Sequence, residues 1–140
     1  MNFEQFVNNL KIWASENEVN LDDIHVSHGG SCMMLGIKLN TDDIDLTVTE
    51  KIFNRFDDPE RRIDLGDGRY LIQVTPNIDI HLAEDDIARP CLIQHESGIW
   101  YRDTQRTLFD YQKLNRPKDQ RYIQLLTQLR EEELNDPDAA

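Results

Sequence analysis

Three features of this sequence could do chemistry, and the first is a pair of carboxylates, Asp43 and Asp45. Residues 43–49 alternate polar and apolar side chains, which predicts a half-buried strand. On a strand both carboxylates project from one face, while Ile44 between them enters the core. Two adjacent negative charges are unfavourable unless a cation joins them, so the pair indicates a Mg²⁺ or Mn²⁺ site. The alternative is a solvated strand face.

The second feature is a turn formed by Gly29, Gly30 and Ser31, between a predicted strand and a predicted helix. Glycines let the backbone approach a ligand closely, and the start of a helix offers free N–H groups. The Ser31 hydroxyl can add one hydrogen bond to a phosphate oxygen. The turn therefore suits a phosphate group, although an ordinary tight turn with Ser31 as the helix cap explains the same residues.

The third feature is Asp79, which lies between two isoleucines on a second alternating segment, residues 78–82. If this strand lies beside the first one, Asp79 joins Asp43 and Asp45 at one place. Three carboxylates of this kind hold the two metal ions of a phosphoryl-transfer centre. His81 shares the strand face of Asp79 and is either structural or a support for these ligands.

Together these features resemble the signature of the nucleotidyltransferase (polymerase β-like) superfamily. The matching string runs from His28 to Leu46 and reads HGGSCMMLGIKLNTDDIDL, followed by Asp79 on a later strand. It is most similar to minimal nucleotidyltransferases of the AbiEii type. The string KLNRPKD, from Lys113 to Asp119, also resembles the segment that opens the final helix of those proteins. The likeness covers residues 24–126.

The resemblance implies that Asp43 and Asp45 bind the metal ions. It also implies that Asp79 shares one metal and helps to deprotonate an acceptor hydroxyl. The residues of the turn would hold the triphosphate of a nucleoside triphosphate: Gly29, Gly30 and Ser31. The implied cofactor is Mg²⁺ or Mn²⁺.

Near the end of the chain, the resemblance implies that Lys113 and Lys118 face phosphate or acceptor, supported by Arg116. Asp119 would then orient one of the two lysines. Residues 102–121 carry six basic and three acidic side chains, a basic island in an acidic chain. The alternative is a solvated helix face with local ion pairs. From its length we expect no large helical domain of the kind found in full AbiEii toxins, which leaves the acceptor open.

The elements that must position these residues form a mixed α/β (α+β) fold. The apolar spacing predicts strands at 24–28, 43–49, 70–74 and 78–82, and hairpins around 65–70 and 92–101. It predicts helices at 3–14, from Cys32, at 50–57 and, twice, from residue 103 onward, with Pro117 in the first turn of the last helix. We expect one domain over residues 1–134 and a flexible tail over 135–140. The resemblance implies a nucleotidyltransferase fold, a mixed β-sheet flanked by helices with C-terminal helices.

The composition limits the classes of protein that remain. The 140 residues carry 27 acidic and 15 basic side chains, a net charge of −12, which disfavours broad binding to nucleic acid or anionic lipid. No long apolar run predicts a membrane span, and no leader is visible, so we expect a cytoplasmic protein. Cys32 and Cys91 have neither metal-site spacing nor a disulfide framework.

The sequence therefore predicts an enzyme that transfers a nucleoside monophosphate from a nucleoside triphosphate to a hydroxyl group on RNA, protein or a small molecule. The alternative is a non-catalytic module with the same fold that binds a partner protein, for example in a toxin–antitoxin or phage–host system. A third alternative is an acidic domain whose carboxylates only keep it dispersed.

Overall fold

The computed structural model describes residues 1–83 and 91–136. Within these ranges one mixed sheet has seven strands in the order β3-β4-β5-β2-β1-β7-β6. The strands are β1 (Ile24–Val26), β2 (Ile44–Val48), β3 (Arg62–Gly66), β4 (Arg69–Thr75), β5 (Ile78–Leu82), β6 (Leu92–Gln94) and β7 (Trp100–Arg102). The predicted mixed α/β class is confirmed.

Five α-helices accompany the sheet in the described ranges. They are α1 (Phe3–Glu16), α2 (Gly29–Met34), α3 (Glu50–Phe56), α4 (Thr104–Leu114) and α5 (Gln120–Asn135). None of the described helices is long and apolar enough to cross a membrane. The predicted tail, 135–140, begins at the last residue of α5, and residues 137–140 lie outside the described chain.

Helix α1 is stabilised by a capped N-terminus and by apolar residues at helical spacing. The Asn2 side chain accepts a hydrogen bond from the Gln5 backbone, and the Gln5 side chain accepts one from the Asn2 backbone, a complete capping box. The apolar face buries Phe6, Leu10 and Trp13 against the sheet. Burial of such side chains stabilises the fold by about 1.5–3 kcal/mol each.

The centre of the sheet consists of β2, with β1 antiparallel on one side and β5 parallel on the other. On β2 and on β5 the aliphatic side chains on either side of the aspartate are almost fully buried: Ile44, Leu46, Ile78 and Ile80. The alternation predicted from the sequence is therefore confirmed on both strands. It turns Asp45 and Asp79 toward the opposite face of the sheet.

A second, smaller core joins α2 to the C-terminal helices. Its buried members are Cys32, Tyr111 and Leu126, and they are separate from the main core on the α1 side. Burial raises the pKa of the Cys32 thiol to about 11, so the group stays protonated. This cluster fixes α4 and α5 beside the turn that precedes α2.

Three local predictions need correction. Helix α2 begins at Gly29 rather than near Cys32, so the glycine turn is itself helical. Asp43 lies one residue before β2, since the pairing with β5 begins at Ile44. Pro117 does not lie in the last helix: it opens a short 3₁₀ turn, Pro117–Asp119, and α5 begins at Gln120.

Candidate metal and nucleotide site

Asp45 and Asp79 are direct neighbours across the parallel pair of β2 and β5. Their Cα atoms are register partners, so the two side chains emerge side by side on one face of the sheet. Both residues are half-buried. Long-range pairing of strands thus brings together two carboxylates that are 34 positions apart in the sequence.

The carboxyl group of Asp79 lacks the partners that buried oxygens normally have. Its Oδ1 atom is buried and accepts no hydrogen bond from any described residue. Burial, together with the charges of Asp45 and then Asp43, raises the pKa of Asp79 to about 6. A buried carboxylate oxygen without a donor, next to a second carboxylate, fits a bound divalent cation.

Asp43 approaches this pair without completing a cluster. Its side chain is exposed, and its backbone carbonyl accepts a hydrogen bond from the Thr41 hydroxyl at 3.2 Å. In residues 1–83 and 91–136, no three His, Cys, Asp or Glu side chains are spaced to hold a metal ion. The two strands are neighbours, as a shared site of Asp45 and Asp79 requires. The site of three carboxylates stays a prediction.

Two histidines cover the flank of the carboxylate pair. His81 Nε2 lies 3.2 Å from Asp45 Oδ1, and the His81 ring lies 5.6 Å from the ring of His28. Burial lowers the pKa of His28 despite the opposing charge of Asp45, so His28 is neutral at pH 7. His28 also has a φ of 54°, a backbone conformation that costs a non-glycine residue about 1 kcal/mol and clusters at functional sites.

Two residues of the glycine turn serve its packing on β1. A Cβ atom at Gly30 would lie 2.4 Å from Val26 Cγ1 and 2.8 Å from Phe6 Cζ, so only glycine fits there. Ser31 is fully buried, and its hydroxyl donates a hydrogen bond to the Val26 carbonyl at 2.9 Å. That hydroxyl would have to rotate before it could donate to a phosphate. Gly29, by contrast, borders a half-exposed space.

Asp119 has a different partner from the one expected. It is 2% exposed and forms a two-pronged ion pair with Arg116, at 2.8 and 3.0 Å, rather than orienting Lys113 or Lys118. Asp119 raises the pKa of Arg116, and the charge of Asp45 contributes to the same rise, which places Arg116 within electrostatic reach of Asp45. Lys113 and Lys118 are both exposed.

Much of the basic island is neutralised inside the fold. Arg102 is 7% exposed and lies 2.6 Å from Asp110, and it also donates to His25 and Thr47. Arg106 binds the other oxygen of Asp110 at 3.2 Å. The alternative of local ion pairs therefore holds for Arg102 and Arg106.

Sequence reasoning missed the surroundings of Gly29. A Cβ atom there would lie 3.1 Å from Lys38 Nζ and 3.9 Å from the hydroxyl oxygens of both Thr41 and Tyr111. One signal was available, because Lys38 is the only basic residue between Ser31 and Asp45. Nothing in the sequence alone connects Tyr111 to this turn, since 82 positions separate it from Gly29.

Comparison of the chain with protein-family profiles, with curated proteins and with solved structures finds no match.

Proposed function

We propose that this protein is a metal-dependent nucleotidyltransferase with the nucleotidyltransferase fold, and that its metal site centres on Asp45 and Asp79. The observation that carries the proposal is the buried Oδ1 atom of Asp79. It has no hydrogen-bond donor among the described residues, and it lies next to a second carboxylate in strand register. A fold stabilised only by its own contacts gains nothing from such an arrangement, because unpaired buried carboxylates destabilise it.

The proposed reaction joins a hydroxyl oxygen of the acceptor to the α-phosphorus of a nucleoside triphosphate. The bond from that phosphorus to the bridging oxygen of the β-phosphate breaks, and pyrophosphate leaves with the electron pair. Asp79 accepts the proton of the hydroxyl. Asp79 would do so as the carboxylate that adjoins Asp45 on the same face of the sheet.

Asp45 and Asp79 would hold Mg²⁺ or Mn²⁺, with Asp43 as a further ligand. Such an ion, when bound, neutralises the charge that develops on the phosphate oxygens. Other residues of the chain would orient these ligands. The contact of His81 Nε2 with Asp45 Oδ1 keeps one oxygen of that carboxylate in place and leaves the other available.

One observation favours the alternative function, a module that binds a nucleotide or a partner protein without catalysis. The Ser31 hydroxyl, which the resemblance assigned to the triphosphate, donates to the Val26 carbonyl instead. A module of this kind would bind without turnover. Release of pyrophosphate from a nucleoside triphosphate, in the presence of RNA or protein acceptors, separates the two functions.

The primary test is equilibrium binding of each of the four nucleoside triphosphates, with MgCl₂, with MnCl₂ or with EDTA. We expect binding by the wild type with a divalent cation, and a loss of at least about tenfold in Asp79→Asn, which lacks the charge. Asp64→Asn is the matched control, because Asp64 is exposed on β3, away from β5. Absence of binding under all conditions, or equal binding by both variants, would contradict the proposal.

A further inference from the structure

Lys38 is a half-buried lysine with an unusual placement. It lies between α2 and β2, and its Nζ atom is 5.6 Å from the centre of the Tyr122 ring on α5. Among residues 1–83 and 91–136, no carboxylate forms an ion pair with it. In a chain of net charge −12, a cation without a carboxylate partner, held partly out of solvent, is available for an external anion.

Two hydroxyl groups converge on the same space. The position of a Cβ atom at Gly29 lies 3.1 Å from Lys38 Nζ and 3.9 Å from the hydroxyls of Thr41 and Tyr111. Burial raises the pKa of Tyr111, so its phenol keeps its proton. The phenol has a side-chain hydrogen bond with Cys32 and the Thr41 hydroxyl donates to the Asp43 carbonyl, so each would rotate to donate to an anion held by Lys38. The space exists because residue 29 has no side chain.

The loop that contains Lys38 and Thr41 also places the space beside Gly29 close to the carboxylates of the proposed metal site. The Thr41 hydroxyl donates to the backbone carbonyl of Asp43, so the loop that carries Lys38 also positions Asp43. His28, which precedes Gly29, lies close enough to Asp45 for that charge to act on it. A ligand beside Gly29 would therefore be a neighbour of the proposed metal site.

We propose that Lys38, with the Tyr111 and Thr41 hydroxyls, forms the subsite for the pyrophosphate portion of the nucleotide. The resemblance implied instead that Gly29, Gly30 and Ser31 hold the triphosphate, and that Lys113 and Lys118 face phosphate or acceptor. This inference rests on the proposed function for the identity of the nucleotide. Phosphate oxygens match an ammonium group flanked by hydroxyls. The proposed subsite consists of side chains and not of the backbone N–H groups of α2.

Lys38 is also better prepared for this role than the two lysines of the C-terminal segment. Its ammonium group already lies over Tyr122 and beside Gly29, so little side-chain freedom is lost on binding. Lys113 and Lys118 are exposed and have no described ion pair that fixes them. Each would lose more conformational entropy on contact with phosphate.

The test is isothermal titration of inorganic pyrophosphate in EDTA, where no metal can bridge the anion to Asp45 and Asp79. We expect Lys38→Met to weaken binding at least about tenfold. The matched control is Lys51→Met, because Lys51 is an exposed lysine on α3. Lys113→Met and Lys118→Met should each change the affinity less than threefold. Equal affinity of Lys38→Met and wild type, or no binding by the wild type, would overturn the inference.

A second variant guards against a folding defect in Lys38→Met. Gly29→Ala places a methyl group 3.1 Å from the flexible end of Lys38, which can move aside, so the fold should persist. The methyl occupies the space where the anion would lie, and we expect pyrophosphate affinity to fall about tenfold with unchanged thermal unfolding. Normal pyrophosphate binding by Gly29→Ala would also contradict the subsite.

The two proposals fail in different ways. If Asp79→Asn loses nucleotide binding while Lys38→Met retains it, the subsite is wrong and the metal-dependent function stands. If pyrophosphate binding depends on Lys38 but no nucleoside triphosphate binds with any cation, the function is wrong and the anion subsite stands.

Discussion

At the scale of single residues, Asp79 couples the candidate site to the stability of the fold. Its pKa rises from 3.8 in the unfolded chain to about 6 in the folded one, so between these values the folded state binds more protons. The free energy of unfolding therefore falls as pH rises from about 4 to about 6, and the penalty is complete above that. Asparagine removes the charge and with it the penalty.

We accordingly expect Asp79→Asn, in EDTA, to raise the free energy of unfolding by about 1 kcal/mol at about pH 8, a value reduced by solvent screening. The difference should vanish at about pH 3, below the pKa of Asp79 in the unfolded and the folded state, where the side chain is protonated in both. Urea unfolding at the two pH values measures it. Asp64→Asn, on the exposed strand β3, is the control. A variant less stable than wild type at pH 8 would contradict the assignment.

Gly29 and Gly30 are adjacent, but a side chain would fit at Gly29 and would clash at Gly30, so each is a control for the other. Gly30→Ala forces a methyl group against Val26 and Phe6, both in the main core, and should lower the free energy of unfolding by about 1–3 kcal/mol. Gly29→Ala meets only the end of Lys38 and should change stability by less than about 0.5 kcal/mol. Urea unfolding of both variants decides the point, and equal losses would refute it.

At the scale of elements, the contact of β7 with α4 depends on a buried charge. Arg102 on β7 and Arg106 on α4 share one carboxylate, Asp110, but Arg102 is buried and Arg106 is partly exposed. Removing Arg102 leaves hydrogen-bonding groups of His25 and Thr47 without their buried donor. The loss should therefore be much larger for the buried arginine.

We expect Arg102→Met to lower the free energy of unfolding by about 3 kcal/mol, and Arg106→Met by less than about 1 kcal/mol. Both substitutions remove one charge that contacts the same carboxylate, so each serves as the control for the other. Chemical denaturation at neutral pH measures the two losses. Similar losses would mean that burial of Arg102 has no energetic consequence.

The elements themselves could be predicted from the sequence because their patterns are local. Alternation at residues 78–82 and turn residues such as Asp67 and Gly68 are visible within a few positions, and both predictions are confirmed. Ends of elements were less predictable: α2 begins at Gly29, and its second residue, Gly30, packs closely on β1. Nothing local signals that packing.

In the candidate site too, local features could be predicted from the sequence and long-range contacts could not. The presence of Asp45 and Asp79 on strands followed from periodicity, but their parallel register depends on which strands pair, a long-range choice. The sequence predicted a lysine as the partner of Asp119, but its carboxylate binds the guanidinium of Arg116, three positions away. That contact depends on the conformation of the folded turn. Lys38 and Tyr111 meet through tertiary packing alone.

At the scale of the whole molecule, the net charge of −12 affects both stability and binding. Self-repulsion of such a chain destabilises the compact state, and any salt relieves part of it by screening. A bound divalent cation would add a separate effect, because it stabilises only the folded state that holds Asp45 beside Asp79. The two effects can be separated, since screening depends on ionic strength while site binding depends on the ion.

We therefore expect MgCl₂ or MnCl₂ to raise the midpoint of thermal unfolding more than NaCl of equal ionic strength does. At a cation concentration 100-fold above its dissociation constant, the folded state gains about 2.7 kcal/mol, or about 8 °C for a domain of this size. The double variant Asp45→Asn/Asp79→Asn should respond to MgCl₂ and NaCl alike, because only screening is left to it. Scanning calorimetry of both proteins in the three salts measures the difference. An equal response of the wild type to all three salts would mean that the Asp79 Oδ1 atom lacks a hydrogen-bond donor among the described residues for a reason other than a metal.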